Sequence, residues 1–227
     1  DTLMRALAPA VPELVSAGVA NLKAITFTGF VESRQWVHIE IFEGSYGGRY
    51  GKDGMDCVDT LYANTRNNPI EDIETHVPLR VTRYEFREHA CAAGKWRGGL
   101  NSVKEIEFLT DGALSVEGDG HGRAPWGFQG GSPGLPSSLR LVRAGAADRD
   151  LPSMLPTIAV HAGDRIRAIG GVGGGYGNAM ERAAASVVAD VLDGLLSADE
   201  ARRSFGVVLT SAGALDEGAT ARQRAGA

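Results

Sequence analysis

The sequence predicts an α+β protein: a β-rich body of mixed or antiparallel strands with helices at the N- and C-terminal ends. Three observations carry that prediction. Short alternating segments recur at close intervals across residues 22–169, separated by turn residues. Helical periodicity is confined to the two ends of the chain. Glycine supplies 31 of the 227 residues, about twice the usual share. With 9 prolines and no fixed repeat, that composition implies tight turns and a closely packed backbone rather than a collagen.

Residues 1–15 read as helical, with Leu3, Leu7, Val11 and Leu14 near helical spacing and Pro9 and Pro12 as interruptions. Residues 22–30 and 35–42 read as strands. In the second, Trp36, His38, Glu40 and Phe42 share one face, and Val37, Ile39 and Ile41 form the clearly apolar other. A glycine-rich loop follows over 43–59, then a polar stretch over 62–71 whose Pro69 is placed to open a helical turn. Further strands are expected at 79–86, 102–109, 113–117, 138–142, 157–160 and 165–169. Residues 180–192 return to helical spacing. Ser197 and Glu200 have the spacing of a capping box opening a helix through Arg203. Residues 205–209 read as a closing strand. The domain reading is one unit over 1–210, with 211–227 as a flexible tail.

Composition excludes several classes. Lys and Arg total 23 against 28 Asp and Glu, a net charge of −5, which argues against binding nucleic acid through phosphate neutralisation. Hydrophobic content of 43% rules out wholesale disorder. No apolar run approaches the roughly eighteen residues of a membrane span. Cys57 and Cys91 form neither a disulfide framework nor a metal-ligand spacing, so a reducing, cytoplasmic location is expected. The chain opens on Asp1-Thr2-Leu3 inside a helical pattern, which suggests a fragment or a processed subunit.

Three segments are candidates for chemistry. Residues 170–177 (GGVGGGYG) lie between a strand and a helix, as phosphate loops do. They match GxGxxG at Gly171 and Gly173 but place Tyr176 at the sixth position, and no Lys-Ser/Thr follows. A close-packed structural turn is the favoured reading. The second segment is 43–71, where backbone amides with Arg49, Asn64, Arg66 and Asn67 suit a carboxylate or phosphate. Asp53, Asp56 and Asp59 there suit orienting a base or meeting a hard cation, without the order of a calcium loop. The alternative is a structural loop tied by its own polar side chains, with Arg66 pairing Glu71. In the third segment, Asp119 and His121 are spaced as an acid–base pair, the competing reading being a surface hairpin with a packed Trp126. No histidine spacing suggests a metal site within this chain.

Several segments in order resemble the C-terminal part of the B-type subunit in the hydantoinase B/oxoprolinase family. They are Asn64-Thr65-Arg66-Asn67-Asn68-Pro69-Ile70-Glu71, the run from Pro78 to Glu85, Gly94-Lys95-Trp96-Arg97-Gly98-Gly99 and the run from Ala124 to Gly131. The runs 173–177, 190–194 and 205–208 agree as well. The resemblance implies part of an ATP-dependent cyclic-amide hydrolase of the N-methylhydantoinase or 5-oxoprolinase type. Such an enzyme opens a lactam or hydantoin ring through a phosphorylated intermediate made by a partner subunit.

The alternatives it carries are a component of an ATP-dependent ketone carboxylase, of acetone or acetophenone type, and a non-catalytic scaffold domain. The partners implied are an A-type subunit holding ATP and Mg and the N-terminal half of the B-type subunit, where a divalent metal would sit. On this reading the chain forms a hetero-oligomer and meets a small-molecule substrate, but neither nucleic acid nor membrane. The expected site residues are Asp119 and His121 for catalysis, and Arg49, Asn64, Arg66 and Asn67 for substrate binding.

Overall fold

The structure, a computed structural model, describes residues 1–59, 61 and 65–226. Among the described residues, nine strands form two antiparallel sheets that share one core. The first sheet has the order β2 (Arg34–Phe42), β1 (Lys23–Val31), β5 (Gly112–Gly118), β8 (Met154–Val160). The second runs β3 (Leu79–Phe86), β4 (Ser102–Phe108), β9 (Arg165–Ile169), β6 (Ser138–Val142), β7 (Arg149–Leu151). Ile25, Phe27, Leu114 and Val116 face Ile106, Phe108, Leu139 and Ile166 across the sandwich, the usual arrangement of two half-buried sheets. Phe27 and Trp36 both pack on Phe108, at 5.5 and 6.5 Å between ring centroids.

Strand β2 inserts the face that carries His38 and Glu40, not the purely apolar one. Trp36 and Phe42 are buried, whereas Val37 and Ile39 are 56% and 58% exposed. Two large aromatics outweigh two aliphatics in buried area. The buried Glu40 carboxylate is offset by an ion pair with Lys104 of β4 and a 2.8 Å contact with His38 Nε2. Both partners hold its pKa down against the effect of burial. The expelled Val37 and Ile39 lie opposite Thr28 and Thr26 on an outer surface that also carries the exposed Phe30. The outer surface of the second sheet is charged and self-paired, with Glu105 accepting from Arg165 and Arg167, and Arg140 meeting Asp150.

The terminal segments depart from expectation in detail. The leading helix is short: α1 (Thr2–Leu7) buries no residue, and the chain breaks before a 3₁₀ turn at Pro12–Leu14, where proline cannot continue a helix. Helix α2 (Ile70–His76) starts after Pro69. Helices α3 (Ala184–Leu192) and α4 (Ala198–Phe205) form a second small core around Val187, Leu196, Ala201 and Phe205. Ser197 and Glu200 make the reciprocal capping box.

Residues 205–209 are not the expected strand. Phe205 is the last residue of α4, Gly206 ends it at φ +62°, and Leu209 makes an isolated bridge to Leu215. Likewise the segment read as a loose tail holds α5 (Glu217–Ala225), capped by Asp216 and anchored where Arg224 donates to the carbonyls of Phe205 and Arg182. Strand β7 escaped the sequence reading, since three residues are too few to show alternation. Among the described residues, no helix is long and apolar enough to cross a membrane.

Glycine is used for backbone-on-backbone packing. A Cβ on Gly98 would stand 1.9 Å from the carbonyl oxygen of Gly173, and one on Gly134 would stand 1.8 Å from that of Val172. The run 170–177 is the middle layer of this stack. The N–H groups of Gly173, Gly174, Gly175, Tyr176 and Gly177 donate to Gly99, Gly18, Ser132, Trp96 and Phe128. Amides already donating to carbonyls cannot also cradle a phosphate, so the structural reading of this run holds.

Candidate functional site

The loop 43–59 leaves β2 and returns across the open end of the sandwich, and its acids divide into two groups. Asp53 and Asp56 are drawn into a buried ionic network. Arg97 holds Asp56 at 2.9 Å and Asp190 at 3.3 Å, while Arg182 bridges Asp53 at 2.6 Å and Asp190 at 2.8 Å. Asp56 also accepts from the Leu100 amide and Asp53 from the Arg97 amide. These bonds tie the loop to α3, so neither acid is available to orient a base.

Asp59 is placed otherwise. It lines a cleft of about 480 Å³ with Glu43, Tyr46, Met55, Cys57, Val58, Thr65, Arg66 and Asn67. Its Oδ2 accepts from the Thr65 amide at 2.8 Å and from the Thr65 hydroxyl. Glu43 faces it from the end of β2 and is 8% exposed. Among the described residues, Glu43 Oε2 and Asp59 Oδ1 are buried without a hydrogen-bond donor. Burial, then the Asp59 carboxyl and its charge, push the Glu43 pKa up to about 8. Asp59 titrates below the usual carboxylate range: its own burial opposes this, but the facing Glu43 carboxyl and the bonds from Thr65 outweigh it. Two close carboxyls cannot both ionise cheaply, and the two shifts accordingly run in opposite directions.

The walls are fixed by long-range contacts. Asn101 Nδ2 donates to the Glu43 carbonyl and to the Gly171 carbonyl, each at 3.0 Å, and Ser45 bonds Gly171 and Gly173. The glycine stack is thus the buttress under Glu43. Asn67 Nδ2 donates to Tyr84 Oη at 2.6 Å, and the Lys104 ammonium stands over the Tyr84 ring. Arg66 is exposed at the rim and makes no ion pair among the described residues, with Glu71 or any other acid. The Cys57 pKa is pushed up to about 12 by burial and by Asp56, so the thiol is no nucleophile at neutral pH.

The sequence-derived residues fall in three places. Arg66 and Asn67 line the cleft, Asn64 lies outside the described residues, and Arg49 sits in a turn with Lys52 away from the lining. Asp119 and His121 are not brought together as a hydrogen-bonded pair. Asp119 is exposed in a separate cavity of about 540 Å³, bonded to Asn21 and to its own turn at Gly120. His121 does not line that cavity; its Nε2 is buried without a partner, and burial together with the nearby Lys23 ammonium lowers its pKa. The intervening Gly120 has φ +79°, and among the described residues Asp119 and His121 make their side-chain bonds elsewhere or not at all. Glu43 escaped sequence reasoning because it is one acid at a strand end; the only local signal was its neighbouring glycines.

The family model for hydantoinase B/oxoprolinase matches residues 1–179 of the chain. The chain is 53% identical over 218 residues to a protein of Pseudomonas sp. (strain NS671) named as the B-type subunit of a D-/L-hydantoinase, covering 95% of this chain and 37% of that protein. It is 32% identical to the beta subunit of the caprolactamase of Pseudomonas jessenii, covering 99% of this chain and 41% of that protein. The crystal structure of the ATP-dependent caprolactamase from the same organism superposes with a TM-score of 0.81 at 25% identity, over 97% of this chain and 40% of that one. A nucleotide-free acetone carboxylase superposes at 0.78 with 19% identity, over 97% of this chain and 34% of that one, which shows a shared fold alone. The chain therefore spans about two fifths of the length of these two relatives.

Proposed function

The chain belongs to the hydantoinase B/oxoprolinase family, and we propose that it is part of the B-type subunit of an ATP-dependent cyclic-amide hydrolase. The observation that carries this reading is the cleft at 43–67. There Arg66 and the Asn67 amide stand beside a proton-holding carboxyl pair, in a chain 53% identical to a protein named as part of a hydantoinase. An amide oxygen is a poor leaving group until it is phosphorylated. Once phosphorylated, the substrate is an anion, and it is best held by a guanidinium and by donors already fixed in place. Arg66 supplies the guanidinium at the rim, and Asn67, held by its bond to Tyr84, supplies a neutral donor.

In this proposal ATP and Mg belong to an A-type partner, which supplies the phosphoryl group. The amides of residues 173–177 bond carbonyls of the chain itself and offer a nucleotide nothing. We assign any divalent metal of the assembly to the remainder of the B-type subunit. The exposed Phe30, Val37 and Ile39 surface is where we place contacts with the rest of the assembly. A cytoplasmic location follows from the need for ATP.

The test is reconstitution. The full-length protein carrying this chain is expressed with the A-type subunit encoded beside it. Hydantoins, 5-oxoproline and caprolactam are assayed with and without ATP, and acetone is assayed with ATP and bicarbonate. ATP-dependent ring opening is expected. Carboxylation of the ketone without ring opening would overturn the reading.

A further inference from the structure

Resting on that functional reading and deepening it, we propose that Glu43 and Asp59 form a one-proton acid–base pair that shuttles protons between water and the ring nitrogen of the phosphorylated cyclic amide. Three features of the cleft converge on this. Glu43 is more than nine-tenths buried, yet its Oε2 has no donor and its residue lines both the main cleft and the smaller hollow beside Ile39 and Ile41. Asp59 presents a second donorless oxygen, Oδ1, from the facing wall. Asp59 is aimed by two bonds from Thr65, and the Glu43 backbone is pinned by Asn101. A proton between the two carboxyls satisfies both orphaned oxygens at once.

The surroundings keep that proton in the pair. Glu40 of β2 adds a like charge beside Glu43, and Lys104 of β4 opposes it. Lys104 is already paired with Glu40. Cys57 is neutral, Tyr84 of β3 is raised by burial, and Arg66 lies at the rim. The result at neutral pH is one ionised and one protonated carboxyl side by side, a base and an acid in one place.

The step balances. Water adds to the ring carbon of the O-phosphorylated amide: the new C–O bond forms, the C=N π pair moves to nitrogen, the water proton passes to the Asp59 carboxylate and the Glu43 proton passes to nitrogen. The same exchange, from the new hydroxyl to nitrogen with the two carboxyls in exchanged roles, accompanies C–N cleavage and leaves the amine and an acyl phosphate, which a second water hydrolyses to carboxylate and inorganic phosphate. The pair begins and ends each half with one proton, so no outside acid or base is required.

Two measurements test this. The first is ¹³C NMR of the chain labelled at Glu and Asp carboxyls. Glu43 is expected to titrate at about 8 and to fall when Asp59 becomes Asn. Titration in the ordinary carboxylate range, or indifference to Asp59→Asn, overturns the pair, as does displacement of its proton by micromolar Mn²⁺, which would make it a cation site. The second uses the reconstituted complex. Glu43→Gln and Asp59→Asn should each lower kcat roughly a hundredfold to ten-thousandfold with KM little changed, and the wild-type kcat should decline above pH 8. If Glu43→Gln retains wild-type turnover and pH profile, the shuttle is wrong while ring opening by the wild type still stands. If the wild type opens no cyclic amide, the functional reading fails, and the carboxyl titration still decides the pair.

Discussion

Two acid clusters sit on the same glycine-rich loop and have opposite fates. At its middle, Asp53 and Asp56 are closed into a network with Arg97, Arg182 and Asp190, with side-chain exposures of 4% for Arg182 and 10% for Asp190. At its ends, Glu43 and Asp59 face each other with two oxygens that nothing among the described residues donates to. Charges nearly balance in the first cluster, three carboxylates against two guanidiniums with backbone amides making up the remainder. In the second, two carboxyls meet with no cation among the described residues paired to either. In the network every carboxylate oxygen is bonded and only Arg182 Nε lacks a partner among the described residues; buried charge matched in this way holds a structure together, whereas buried carboxyls left short of donors are strain that a fold tolerates at a site.

That contrast can be broken experimentally, and the largest effect is expected in the network. Asp190→Asn or Arg182→Met leaves buried partners uncompensated and should cost about 3–5 kcal/mol, read as a lower urea midpoint of the isolated chain. A loss below about 1 kcal/mol would mean that the network is dispensable to the fold. Arg66→Gln, at the cleft rim, should do the reverse. Turnover of the reconstituted complex should drop roughly thirtyfold to thousandfold, equivalent to about 2–4 kcal/mol of transition-state stabilisation, at an unchanged thermal midpoint. A fall in turnover that merely tracks lost folding would make Arg66 structural, and Arg66→Lys should recover only part of the rate because it lacks the planar fork.

Glu43→Gln sharpens the comparison through pH. An acid whose folded pKa is raised binds its proton more tightly in the native state. The stability it contributes is full below its ordinary 4.5 and is lost as pH rises through about 8. The wild-type chain should therefore weaken as pH rises from about 4.5 to about 8, and Glu43→Gln should flatten that decline, gaining about 1–3 kcal/mol above pH 8. An unchanged slope would mean that Glu43 is ionised throughout. The smallest effect is expected on the outer surface of β2. Ile39→Ser should change the isolated chain by no more than about 0.5 kcal/mol while weakening assembly with the partner subunits, measured by sedimentation. A large loss in the isolated chain would place Ile39 in the core instead.

Much of the fold was legible in the sequence because its signals are local. Alternation located most of the strands, and Ser197 with Glu200 announced α4 through a contact three residues long. Pro69 marked the start of α2. The site was only partly legible. Arg66 and Asn67 were singled out because charged and amide donors rarely crowd a mere connector, and they do line the cleft. Glu43 was not singled out, and the Asp119–His121 spacing did not become a hydrogen-bonded pair, because spacing of two along a chain does not fix contact once a positive-φ glycine intervenes.

By itself, then, the sequence determined the strands, the helix caps, the glycine content needed for close backbone packing and the family resemblance. Each depends on residues within a few positions of one another or on the order of short runs. Only the tertiary structure decided which face of β2 turns inward and which acids of one loop are neutralised. Arg182 reaches Asp53 across 129 positions, Arg97 reaches Asp190 across 93 and Lys104 reaches Glu40 across 64. Whether a carboxylate is paired depends on the field of everything packed around it, and that field exists only once both sheets and the helices behind them have closed.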